Sequence, residues 1–149
     1  MKKFFALLLT ICCCFSLFIP QAAALDTANT TTRIDLPDGG YIIEEISSNT
    51  PTTRATTSTS KTKTHTRYTA SGHALYAVSV TGSFKYTGST SWATGSSASV
   101  AIYDSNVVYV SKSASYASNY ATATGRIKYL GDSESHTVTL YCDKNGNFS

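Results

Sequence analysis

Four basic residues stand at alternate positions in Lys61-Thr62-Lys63-Thr64-His65-Thr66-Arg67-Tyr68. In a strand, side chains alternate between faces, so this spacing puts all four on one face and the threonines with Tyr68 on the other. A row of that kind could hold an anionic polymer. It could equally protect an edge strand, where Lys and Arg discourage pairing with other molecules. Threonine favours strands, so residues 61–68 are predicted to form an edge strand with an outward basic row. The histidines His65, His73 and His136 fall in that row, in a turn and early in a strand. Two of them could meet across sheets, but no spacing requires it, and no metal site is expected. There is no G-x-S-x-G elbow and no H-E-x-x-H pair. Glu44 and Glu45 are adjacent in a β-prone run, so they point to opposite faces and cannot work as a close carboxylate pair. Asp143-Lys144-Asn145-Gly146-Asn147 is a poor match to a calcium loop, because its glycine comes too early and no twelfth-position glutamate follows. It reads as a turn. The expectation is a protein with no catalytic residues, no cofactor and no metal.

The aromatic residues offer a different chemistry. Ten tyrosines and Trp92 follow the N-terminal apolar run, against only two phenylalanines. Tyrosine and tryptophan join a flat apolar face to a polar tip, which suits sugar rings and protein interfaces. Trp92 lies in a Ser/Thr/Gly-rich stretch read as a loop. Exposed, it would stack on a sugar; turned inward, it would plug the end of the core. Most tyrosines alternate with Ser or Thr and are expected to fill the core or line one sheet face. Trp92, Lys61, Lys63, His65 and Arg67 are the candidate ligand-binding residues.

The elements that must position them begin after an export signal. Met1-Lys2-Lys3 precedes an apolar run from Phe4 to Ile19, and Ala22-Ala23-Ala24 closes it. A charged start, a short apolar run and small residues at a cleavage point read as a secretory signal peptide over 1–24. The run is shorter than the ~20 residues a bilayer span needs, so no membrane segment is expected after cleavage. Of four cysteines only Cys142 lies beyond the signal, which rules out an internal disulfide. Val138, Leu140 and Cys142 share one strand face, so a buried, inert thiol is expected, with a Cys142-linked dimer as the alternative to a monomer. Beyond the signal the chain has ten bases against nine acids, and this balance gives no case for nucleic acid. Residues 25–50 hold one base and five acids; residues 51–149 hold nine bases and four acids.

The acids lie mostly in an N-terminal arm, 25–60. Within it, residues 33–36 and Tyr41–Ile46 flank Pro37-Asp38-Gly39-Gly40 and predict a small hairpin. Residues 47–60 are a Thr/Ser-rich linker containing Arg54, a point at which a protease could release the arm. Beyond it, Tyr76, Val78, Val80, Phe84 and Tyr86 alternate with polar or small residues, the pattern of a half-buried strand. Further strands are read at 61–68, 98–102, 107–112, 121–129 and 136–142. Six short strands with no helical periodicity predict an all-β domain over 61–149, an antiparallel sandwich (immunoglobulin-like) or a small barrel.

Asp38–Ile46 (DGGYIIEEI), Lys61–Thr66 (KTKTHT), Val78–Ser91 (VSVTGSFKYTGSTS), Ser111–Ser115 (SKSAS) and Thr137–Ser149 (TVTLYCDKNGNFS) together resemble a group of small, uncharacterised secreted proteins of Gram-positive bacteria. The resemblance implies export and one β domain. It implies no activity and no catalytic residues. The functional expectation is a secreted, non-catalytic binding module at the cell envelope or outside the cell. Its expected partners are glycans, anionic wall polymers or an extracellular protein. A small secreted toxin or bacteriocin-like effector is the alternative.

Overall fold

In a computed structural model the described residues form eight strands. They are β1 (Thr30–Asp35), β2 (Tyr41–Ser48), β3 (Ser58–Tyr68), β4 (Ala74–Tyr86), β5 (Ser91–Ile102), β6 (Val107–Ala117), β7 (Tyr120–Tyr129) and β8 (Asp132–Tyr141). The structure describes residues 29–48 and 58–149. The expected signal peptide at 1–24 and the cleavage point at Arg54 lie outside the described residues.

Strands β1 to β5 form one antiparallel sheet in chain order, and β6 to β8 form a second. The fold is therefore all-β, with two packed sheets and no closed barrel. Neighbours in each sheet are consecutive in sequence, an up-and-down order rather than the Greek key of an immunoglobulin sandwich. The predicted hairpin is present. Pro37-Asp38-Gly39-Gly40 turns the chain, with Gly39 at φ 81° and the Asp38 carboxylate accepting from the Gly40 amide. The hairpin is continuous with the rest of the sheet, since β2 pairs with β3 from Tyr41↔Tyr68 to Ser48↔Lys61.

Alternation in β4 builds the core as expected. Tyr76, Val78, Val80 and Phe84 are buried against Ala121, Ala123 and Ile127 of β7 and Val138 and Leu140 of β8. Small residues set the distance between the sheets. A Cβ on Gly125 would lie 2.7 Å from Val78 Cγ2. Cys142 continues the inner row of β8, and it is fully buried and unpaired. Burial, then the charge of Asp143, pushes its thiol up to about 11. The C-terminal turn folds under the sandwich, where Phe148 meets Phe84 edge-on at 5.4 Å.

Three expectations require correction. Strand β3 is not an edge: it lies between β2 and β4. Its basic row does not face outward either. Lys61, Lys63, His65 and Arg67 pair with Gly82, Val80, Val78 and Tyr76, and directly paired residues project to the same side of a sheet. The basic row therefore shares the inner face with the core, and the threonines take the outer one. Trp92 is the second residue of β5 rather than part of a loop, because β5 starts seven residues before the first apolar signal at Ala98. The tyrosines divide. Tyr76 is buried and Tyr86 and Tyr129 line the core, while Tyr103, Tyr109, Tyr116 and Tyr141 are exposed.

Candidate functional site

The register of the five-stranded sheet places two distinct surfaces back to back. On the outer face, β3 contributes Ser58, Ser60, Thr62, Thr64 and Thr66. Strand β4 sets Lys85, Ser83, Thr81, Ser79 and Ala77 beside them, and β5 sets Trp92, Gly95, Ser97, Ser99 and Ala101 beside those. The face is about 26 Å long, at about 3.3 Å per residue along β3. Across β3 to β5 Lys85 is the one charged side chain on this face, while β1 and β2 add Arg33, Asp35 and Glu45 beyond the Thr64–Thr66 end of it. Cross-strand hydrogen bonds fix its hydroxyls: Thr62 Oγ1 lies 2.7 Å from Thr81 Oγ1, and Thr64 Oγ1 lies 2.9 Å from Ser79 Oγ. Aromatics mark both ends. Trp92 is 40 % exposed beside Lys85. At the other end the rings of Tyr41 and Tyr68 stack at 4.9 Å, with the Arg33 guanidinium 3.8 Å from the Tyr41 centroid.

On the inner face the basic row is engaged internally. Lys63, only 8 % exposed, places its ammonium 3.0 Å from Glu44 Oε2. Arg67 pairs with Asp38 and donates to the Tyr68 carbonyl. Lys61 points toward the Phe148 ring, 5.7 Å from its centroid. His65 joins a chain of groups crossing from one sheet to the other. Its Nε2 lies 2.8 Å from Glu44 Oε2, and its Nδ1 lies 2.9 Å from His136 Nε2 on β8. Beside them the Tyr76 hydroxyl donates to Glu134 Oε2 over 3.1 Å. The structure thus brings Lys63, His65 and Arg67 into one inter-sheet cluster and leaves Trp92 on the opposite face.

The polarity of this chain follows from its acidic end. Ionised Glu44 only accepts, so His65 Nε2 must donate to it. In the neutral ring His65 Nδ1 then accepts, and His136 Nε2 must donate. His136 Nδ1 is left as the basic end of the chain. Burial alone would raise the Glu44 carboxyl, but hydrogen bonds from Lys63 and His65 outweigh it and hold it below its ordinary value. Burial lowers His65, opposed by Glu44 and reinforced by the Lys63 charge. His136 falls to about 4, first from burial, then from the charges of His65 and Arg67. Among the described residues no group of three His, Cys, Asp or Glu side chains is arranged to hold a metal ion.

Sequence reasoning allowed two of the histidines to meet across sheets but did not name His65 and His136, and it put the basic row on the wrong side. One signal was there to be read: His136 precedes Val138, Leu140 and Cys142 at the same two-residue spacing, which aims it at the core. Its partner could not be named without the strand register. Comparison with protein-family models, with curated proteins and with solved structures gives no match.

Proposed function

We propose that this chain is an exported, non-catalytic binding module that takes a neutral glycan on the outer face of its five-stranded sheet. The observation that carries the reading is the composition of the β3–β5 part of that face, rows of hydroxyls with Lys85 as their one charge, ending in an exposed tryptophan. Hydroxyls donate and accept, which suits a partner that is itself polyhydroxylated. An indole offers a flat apolar surface to a sugar ring. The basic row supports an anionic partner less well, because Lys63 and Arg67 already have carboxylates and face inward. Export is supported by the charged start, apolar run and Ala-rich site of residues 1–24.

The test is retention of the purified protein on isolated cell walls and on neutral polysaccharides across a salt series. Binding should change little with salt, since no ion pair with the partner is involved. Trp92→Ala should reduce it about tenfold or more, in the range of a lost aromatic anchor, while leaving the melting temperature within a few degrees. Steep loss of binding with salt, or full binding by Trp92→Ala, would overturn the reading.

A further inference from the structure

The chain Glu44–His65–His136 ties β2 and β3 of the larger sheet to β8, the edge strand of the smaller one. A hydrogen bond between two imidazoles needs an unprotonated nitrogen on one of them. We propose that this chain is an acid-operated latch, which holds the end of β8 on β3 while at least one histidine is neutral and releases it once both are charged.

The order of events follows from the hydrogen bonds. The first proton enters at His136 Nδ1, the basic end. His136 is then an imidazolium, and its Nε2–H still donates to His65 Nδ1, so the contact survives. A second proton must go to His65 Nδ1. Two N–H groups then oppose each other across 2.9 Å, and two positive rings face each other in a half-buried site.

The surroundings sharpen this response. From β3, Lys63 and Arg67 add two cations. From β2 comes Glu44, from the β1–β2 turn Asp38, from β8 Glu134 and from β4 the Tyr76 hydroxyl. Two cations face three anions when the histidines are neutral. Four cations face the same three anions when both are protonated.

Opening would be confined to one end of β8. Its other end is anchored by Val138 and Leu140 in the core and by the bridge between Cys142 and Phe148. The segment released is Asp132 to Thr137, together with the Leu130-Gly131 turn that joins it to β7. The downward shift of both histidines agrees with this geometry.

The sign of the pH effect is fixed. His136 titrates near its ordinary value of about 6.5 in the unfolded chain and near 4 in the folded one. Between those values the unfolded state binds more protons, so stability falls as pH falls through this window. The melting temperature should drop by about 5–10 °C from pH 7 to pH 4 on this account. His136→Gln keeps an N–H donor for His65 and cannot titrate, so most of that drop should vanish. His73→Gln removes an exposed histidine that pairs with Asp104 and should retain it. Imidazole nitrogen NMR on the unaltered protein provides a test independent of any variant. His136 should titrate well below the ordinary value of about 6.5, and the amides of Ser135 to Thr137 should exchange faster only once His65 takes its proton as well. The proposal is overturned if His136→Gln keeps the full pH dependence, or if His136 titrates at its ordinary value of about 6.5.

Discussion

Gly125 shows how a single position sets the spacing of the two sheets. It sits on the inner face of β7, and an added Cβ would lie 2.7 Å from Val78 Cγ2 and 3.0 Å from Val100 Cγ2. Both neighbours are β-branched and stiff, and Val78 is fully buried. Gly125→Ala should therefore destabilise by about 1–3 kcal/mol through overpacking, seen as a lower denaturant midpoint with unchanged binding on the outer face. This residue was legible in part: alternation with Ala121, Ala123 and Ile127 puts it inside. That it touches Val78 depends on how the sheets stack, which no local pattern encodes. The same limit explains the basic row. Alternation correctly puts Lys61, Lys63, His65 and Arg67 on one face, but the choice of face rested on charge alone. The deciding partner, Glu44, lies 19 residues before Lys63 and meets it only through β2–β3 register. A buried lysine is tolerable when a carboxylate neutralises it.

Legibility of each element tracked how differently its two faces were painted. Strand β4 was read nearly to its ends, because large apolar residues alternate with small or polar ones. The first half of β5 was missed because, Trp92 apart, both its faces are small or polar: Ser96 points inward and donates to the Thr122 carbonyl over 3.1 Å. The second half of β6 was missed because an exposed edge needs no apolar row. The β1–β2 hairpin was visible, but its docking was not. It covers the edge of β3 and supplies Glu44 to Lys63 and His65. Glu44 and the buried Ile42 and Ile46 tie it into the sheet, so its removal should cost more than fraying of one strand. A shortened chain beginning at Ser58 is expected to lose cooperative thermal unfolding or to aggregate. If it instead melts within a few degrees of the whole protein, the hairpin is a dispensable arm.

At the scale of the molecule, five strands lie against three. Among the described residues β6 has no strand beyond it, and Val108, Tyr109 and Val110 are exposed along it, Val108 to 57 %. An apolar free edge is a template for pairing with another chain, and Lys112 is the single charge guarding it. Aggregation on heating should therefore begin there. Val108→Lys should raise the temperature at which light scattering appears while leaving the unfolding midpoint within about 1–2 °C, as for a surface change; an unchanged scattering onset would place the weak point elsewhere. The strand order has a consequence of another kind, in time rather than energy. Within each sheet every strand pairs with the one immediately before it. No pairing has to wait for a distant segment, so the closure entropy of each step stays small. The larger sheet can grow by adding one strand at a time in the order the chain is made, and the β6–β8 unit, complete in itself, can settle onto it last.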